Sequence, residues 1–132
     1  MELREITYFT ENDETVIELL VNVGFKRSFS KVLVYLLSKP ESTMRDIERG
    51  ANLRQPEVSL ATTYLLNRTW ISCRAVQGRT KGRPVKSFRP AKPFAEVLAD
   101  IKEQKMEEAR VMMLNVRMLQ AHAGDCGILK PY

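Results

Sequence analysis

The spacing of apolar residues changes near Trp70, and this change constrains the fold more than any other feature of the sequence. In residues 58–65, apolar side chains recur every three or four positions, as they do on one face of a helix. Residues 70–77 and 85–89 instead have the character of short strands. Only a glycine-bounded loop, residues 78–83, separates these two segments. The sequence therefore predicts a β-hairpin that follows directly after a helix.

A first amphipathic helix is predicted over residues 12–23. Asn12 is a suitable N-cap, and Gly24 is a suitable residue to end the helix. Its predicted core-facing positions lie at i, i+3, i+4 and i+7, and they are Val16, Leu19, Leu20 and Val23. This pattern predicts a helix that covers one side of a helical core.

Two further helices follow. The second is predicted to begin at Ser28 or Ser30 and to end before Pro40, because proline cannot continue a helix. The third is shorter and is predicted to begin after Ser42 or Thr43, either of which can cap it.

The third helix and the fourth are joined by a tight turn. Asp46 lies three residues after Thr43, which is the spacing of a capping box. Residues 50–52 contain glycine and asparagine and break the third helix, and Pro56 suits the first turn of the fourth. The two short helices and their turn predict a helix-turn-helix pair.

The positive charges of the chain are unevenly distributed. The whole chain carries a net charge of +5, yet residues 58–95 contain no aspartate or glutamate. The rest of the chain is therefore slightly acidic. A segment with one sign of charge is typical of a surface that binds a polyanion, because each cation near a phosphate releases a condensed counterion. The cations in this segment are Arg68, Arg74, Arg79, Lys81, Arg83, Lys86, Arg89 and Lys92.

A long C-terminal helix is predicted over residues 92–123, after a first domain that spans residues 1–91. Residues 124–132 contain glycine and proline and are predicted to form an irregular tail. The second half of the helix carries an apolar stripe that a small monomer could not easily cover, so we expect it to form the seam of a homodimer. The stripe consists of Ala109, Met112, Met113, Val116 and Leu119.

The sequence contains no recognisable catalytic, metal or membrane motif. The single histidine, His122, belongs to no catalytic pattern, and Cys73 and Cys126 form no CxxC pair. No apolar run approaches the roughly 20 residues needed to cross a bilayer, and no secretion leader is recognisable. We therefore expect a cytoplasmic protein that is not an enzyme and that binds no cofactor, metal or membrane.

Helices followed by a basic hairpin are the element order of a winged helix-turn-helix. In that fold the second helix of the pair enters the major groove of double-stranded DNA, and the hairpin, or wing, contacts the adjacent backbone. We expect a mainly α fold with a small β-hairpin (α+β), a recognition helix over about residues 55–68 and a wing over residues 78–86.

The residues predicted to face DNA lie on these two elements. On the recognition helix they are Arg54, Gln55, Pro56, Ser59, Leu60, Thr63, Tyr64 and Asn67. On the wing they are Arg79, Lys81, Arg83 and Lys86. Gln55 and Asn67 suit adenine edges, and Leu60 or Tyr64 suits a thymine methyl group. The helix could also serve a packing role, and Tyr64 could belong to the core.

Residues 45–59, together with Lys81-Gly82-Arg83-Pro84, resemble archaeal predicted transcriptional regulators related to the TrmB-like and MarR-like winged-helix families. The similarity extends from about Phe29 to the start of the last helix. It implies a homodimeric DNA-binding regulator with Arg83 at the wing. It also implies that three residues face the groove, and these are Gln55, Ser59 and Thr63. The sequence departs from the pattern at Trp70, because these families commonly carry glycine just before the first wing strand.

Two other functions remain open from the sequence. The chain could be a winged-helix module for protein assembly in transcription or replication machinery, with weak non-specific DNA binding. It could also bind structured RNA, although the deep and narrow major groove of RNA leaves no role for the exposed face of residues 55–67. The sequence identifies no operator, target gene or small-molecule effector, and it does not distinguish an activator from a repressor.

Overall fold

The helices and strands follow the predicted order, with one short strand added. The computed structural model describes residues 9–77 and 82–126. The elements are α1 (Glu11–Val23), α2 (Arg27–Ser38), β1 (Ser42–Thr43), α3 (Met44–Gly50), α4 (Gln55–Asn67), β2 (Ile71–Gln77), β3 (Pro84–Pro90) and α5 (Phe94–Cys126). This confirms the predicted fold class, which is mainly helical with a small antiparallel sheet and a long C-terminal helix.

Capping boxes begin α1 and α3. In α3 the predicted box is confirmed, because the Asp46 N–H donates to Thr43 Oγ1 at 3.2 Å and the Thr43 N–H donates to Asp46 Oδ2 at 3.0 Å. In α1 the predicted cap, Asn12, is wrong. The cap is Thr10, whose hydroxyl accepts from the Asp13 N–H at 3.0 Å while the Asp13 carboxylate accepts from the Thr10 N–H at 3.0 Å. This box gives hydrogen-bond partners to two backbone N–H groups. A cap at Asn12 would not place Asp13 three residues after the cap, which is the spacing that the box requires.

The start of α2 also differs from the prediction. The helix begins at Arg27 after the extended residue Lys26, so Ser28 and Ser30 both lie inside it. The Ser30 hydroxyl donates to the Lys26 carbonyl at 3.0 Å, which is the bond of a serine within a helix and not of an N-cap.

The buried face of α1 agrees with the predicted one at Leu20 and differs from it at Leu19 and Val23. Ile17 and Leu20 are buried, whereas Leu19 is 57% exposed and Val23 is 41% exposed. Apolar residues occupy both registers of this helix, so its periodicity alone does not choose between them. Packing against α2 makes the choice.

The sheet is antiparallel and has the strand order β1-β3-β2. The hairpin pairs run from Ile71 with Pro90 to Gln77 with Pro84. The unpredicted strand β1 pairs Ser42 with Phe88. It has only two residues, and one of them, Thr43, also caps α3. A strand this short leaves no period-two pattern in the sequence.

The core lies where α2 packs against α1 and α4, with α3 beside α4. The residues at its centre are almost fully buried, and they are Val32, Leu36, Ile47, Val58, Leu65 and Trp70. The hairpin contributes Ile71 and Phe88 to the buried set. These contacts hold the two helices of the helix-turn-helix pair, α3 and α4, in place.

The chain divides into two compact units, Met1–Phe94 and Ala95–Tyr132. In the second unit, α5 continues through Gly124, which the sequence analysis assigned to the irregular tail. Residues 127–132 of that predicted tail lie outside the described residues. No helix in the described part of the chain is long and apolar enough to cross a membrane.

Gly50, the last residue of α3, lies against the ring of Tyr35. A Cβ at position 50 would overlap Tyr35 Cε1 and would lie 2.6 Å from the Tyr35 hydroxyl oxygen. Tyr35 is itself buried in α2, so its ring has little room to move away. Glycine at position 50 therefore allows α3 to approach α2 closely.

We expect Gly50→Ala to lower the free energy of unfolding by about 1–3 kcal/mol, because the added methyl group overpacks this contact. Thermal and denaturant unfolding would measure the change. The matched control is Gly124→Ala in α5, where an added Cβ meets no atom within 4 Å. That control should be neutral or slightly stabilising, because alanine favours the helix more than glycine does. Equal stabilities for the two variants would contradict the packing argument.

Candidate nucleic-acid interface

Helix α4 has one face in the core. Val58, Ala61 and Leu65 are buried at spacings of three and four residues. Thr62 is also buried, and its hydroxyl donates to the Val58 carbonyl at 2.9 Å, so the polar group does not lack a partner. This face fixes the rotation of the helix about its axis.

The opposite face of α4 is open to solvent. Leu60 is 62% exposed, an unusually open position for a large apolar side chain in the first unit. Ser59 is half-buried. The other predicted groove-facing residues on this face are exposed, and they are Arg54, Gln55, Pro56, Thr63 and Asn67. Amide, hydroxyl and apolar groups thus share one accessible helix face.

The N-terminus of α4 is held by local hydrogen bonds. The Arg54 N–H donates to the Glu57 carboxylate at 2.9 Å, and Pro56 lies in the first turn. In the turn before it, Asn52 has a φ of 56°, a left-handed conformation that asparagine tolerates better than most residues. The only acid on the first turn of α4, Glu57, therefore serves its capping.

Tyr64 is placed differently from the other predicted contacts. Its ring stacks on Phe29 with centroids 4.8 Å apart, and it makes edge contacts with Phe25 at 6.3 Å and Trp70 at 6.4 Å. The ring is half-buried in this aromatic cluster. These contacts favour the core role that the sequence left open for Tyr64.

The wing carries exposed cations. Arg83 and Lys86 are both exposed, and no ion pair joins them to an acid in residues 9–77 and 82–126. Lys86 pairs with Ala75 across the hairpin and so lies on the opposite sheet face from Arg74, whose cross-strand partner is Ser87. The other two predicted wing residues, Arg79 and Lys81, lie outside the described residues.

Glu41 joins the two wing strands to the loop before β1. Its Oε1 accepts from Arg74 Nη2 at 3.2 Å and from the Ser87 hydroxyl at 3.2 Å, and its Oε2 accepts from Arg89 Nη1 at 3.2 Å. Desolvation by itself would raise the pKa of Glu41. Hydrogen bonds from Arg74 and Ser87 and the charges of Arg74 and Arg89 outweigh it, so the pKa of Glu41 lies below its ordinary value.

The positive charge of the basic segment is therefore partly compensated by an acid from outside it. Arg74 and Arg89 share the Glu41 carboxylate. Arg68 lies over the Trp70 ring, 4.6 Å from its centroid. The acid-free count was correct along the sequence, but the compensating acid comes from a position 33 residues before Arg74.

Helix α3, the other helix of the pair, carries two exposed cations that were not among the predicted contacts. Arg45 and Arg49 are both exposed and lie four residues apart, so they share one side of the helix. The spacing was visible in the sequence. It was overlooked because these residues alternate with acids and fall outside the acid-free segment.

No group of three or more histidine, cysteine, aspartate or glutamate residues could hold a metal ion within the part of the chain that the structure describes. Cys73 is a free, exposed cysteine on β2.

No protein-family model matches the chain, and no curated protein matches it significantly. Solved structures do. A possible transcriptional regulator from Methanosarcina mazei Go1 aligns with a TM-score of 0.59 and 14% identity, over 80% of this chain and 86% of that one. A MarR-family transcriptional regulator from Silicibacter pomeroyi aligns with a TM-score of 0.50 and 12% identity, over 91% and 83%.

A third similar structure contains nucleic acid. It is a mutant of Staphylococcus aureus MepR bound to an oligodeoxyribonucleotide, with a TM-score of 0.50 and 16% identity over 91% of both chains. At such identities these matches show the fold. The fold of this chain is thus the winged helix found in MarR-family transcriptional regulators.

Proposed function

We propose that the chain is a sequence-specific transcriptional regulator that binds double-stranded DNA, with α4 in the major groove and the wing on the backbone or minor groove. The observation that carries the proposal is the open face of α4. Leu60 is 62% exposed there among hydrogen-bonding side chains that the core does not use. The oligonucleotide bound to the similar MepR structure supports the same class of ligand.

The side chains of this face suit base recognition. Gln55 and Asn67 have amide groups that can pair with the N6 and N7 positions of adenine. Ser59 and Thr63 can donate or accept, and Leu60 can contact a thymine methyl group. Since the Tyr64 ring packs in the aromatic cluster, we leave it out of the base-reading set.

Phosphate contacts come from different residues. Arg83 and Lys86 are exposed on the wing, and Arg79 and Lys81 precede them in the segment outside the described residues. In helix-turn-helix proteins the first helix of the pair crosses the DNA backbone, so Arg45 and Arg49 on α3 are further candidates. A closer relation to TrmB-like archaeal regulators stays a prediction from residues 45–59.

We further propose that α5 forms a homodimer. All five residues of the predicted stripe are exposed, and the largest of them, Met112, Met113 and Leu119, are 65%, 54% and 68% exposed. Ala109 and Val116 complete the stripe. A two-fold dimer would place two copies of α4 about 34 Å apart, one turn of DNA, on a pseudo-palindromic site.

Selection from a random-sequence duplex library, followed by sequencing, tests this function at two salt concentrations. Enrichment of a two-fold-related motif with steep salt dependence would support a dimeric regulator. Salt-sensitive binding without a motif would favour a non-specific assembly module. Absence of binding at either concentration would contradict the proposal.

Gln55→Ala and Arg83→Ala should affect DNA binding differently. Loss of the Gln55 amide should relax the base preference at one position by about 1–3 kcal/mol. Loss of the Arg83 charge should weaken binding to every sequence and flatten the dependence of log K on log salt by about one unit. Binding titrations against selected and mixed-sequence duplexes would measure both effects. Identical effects of the two variants on every sequence would refute this division of roles.

The double variant Met113→Glu and Val116→Glu should be monomeric in sedimentation velocity, because it places charges in the proposed apolar seam. The matched control is Met118→Glu. Met118 is 52% exposed, close to the 54% of Met113, but it lies two residues after Val116 and so on nearly the opposite side of the helix. The control should remain dimeric. A dimer that survives the double substitution would exclude this seam.

A further inference from the structure

The cluster around Glu41 joins three separate parts of the first unit. Glu41 lies in the loop before β1, Arg74 lies on β2, and Ser87 lies on β3 beside Arg89. The Glu41 carboxylate accepts four hydrogen bonds, two of them from Arg74. Both of its oxygens are used, which is a geometry that orients two guanidinium groups through one acid.

The backbone at Glu41 favours a different residue type. Its φ is 66°, in the left-handed region where glycine is preferred. The adjacent turn is held by Ser42, whose hydroxyl donates to the Lys39 carbonyl at 2.6 Å. Glycine would fit this backbone conformation better than glutamate does. The hydrogen bonds of the glutamate side chain, and not the backbone conformation, therefore explain why glutamate suits this position.

We propose that Glu41 is a positioning residue that limits the affinity of the wing for the phosphates of any DNA sequence, without contacting DNA. It holds Arg74 and Arg89 against the sheet face and neutralises one of their two charges. The inference rests on the proposed function, because it concerns how the same hairpin meets phosphate.

Phosphate contacts and base contacts contribute differently to DNA binding. Contacts from cations to phosphate supply affinity for every sequence, whereas contacts to base edges distinguish one sequence from another. An acid that removes wing charge lowers the first contribution and leaves α4 unchanged. Affinity for every sequence therefore falls by a similar factor, and the base preference set by α4 does not change. Arg83 and Lys86 stay available for phosphate, because neither is paired with Glu41.

Glu41→Gln tests the proposal, because it removes the charge and keeps the size of the side chain. Affinity for a mixed-sequence duplex should rise several-fold, and the dependence of log K on log salt should steepen by about one unit. Affinity for the selected duplex should rise by a similar factor, so the ratio of the two affinities should stay close to that of the wild type. Glu41→Asp, which keeps the charge, should have a dependence of log K on log salt close to that of the wild type.

Two controls separate this role from a structural one. Glu14→Gln on α1 makes the same change in net charge far along the sequence from the wing, and it should leave the slope close to that of the wild type. In a background with Arg74→Gln and Arg89→Gln, the effect of Glu41→Gln on the slope should disappear, because its partners are absent. Thermal unfolding of each variant would verify that the fold persists.

The outcomes distinguish this inference from the proposed function. If the wild type binds DNA and Glu41→Gln leaves its affinity and salt slope unchanged, the inference is overturned and the proposed function stands. An effect of Glu41→Gln that persists without Arg74 and Arg89 also overturns it. If the wild-type protein binds neither duplex at any salt concentration, the proposed function itself fails.

Discussion

The burial of Trp70 links the proposed recognition helix to the wing. The Trp70 N–H donates to the Leu65 carbonyl in α4 at 3.1 Å, and the Trp70 carbonyl accepts from the Ala91 N–H beyond β3 at 2.9 Å. Its indole ring is 1% exposed and contacts Phe25 and Tyr64. Trp70 thus connects the end of α4 to the segments that enter and leave the hairpin. This junction sets the relative geometry of α4 and the hairpin, on which the proposed DNA contact depends.

Trp70, where the sequence departs from the pattern that it otherwise resembles, has a local explanation. The left-handed residue is the preceding one, Thr69, with a φ of 61°. Trp70 therefore does not need the conformational freedom of glycine. A β-branched residue in this region is strained by about 1–2 kcal/mol, and burial of the adjacent indole offsets a cost of this size.

Features carried by local spacing were predictable, and features carried by packing between distant segments were not. The order of elements, the Thr43 capping box and the hairpin follow from residues a few positions apart. The buried face of α1 was predicted only in part, because positions 17 and 19 are both apolar. Only packing against α2 determines that Ile17 is buried and Leu19 is exposed. The pairing of Glu41 with the wing joins positions 33 residues or more apart, which no periodicity records.

The two faces of α4 separate the residues that hold the fold from the residues that are open to a ligand. The buried face, centred on Val58, Ala61 and Leu65, holds the helix in the core. Leu60 and Thr63 on the other side are exposed, so substitutions there cost little stability. The outward residues are therefore free to vary while the fold stays the same. For this reason, similarity to winged-helix regulators at 12–16% identity shows the fold and does not fix what the outward face binds. The proposed base preference of this chain depends on its own outward residues.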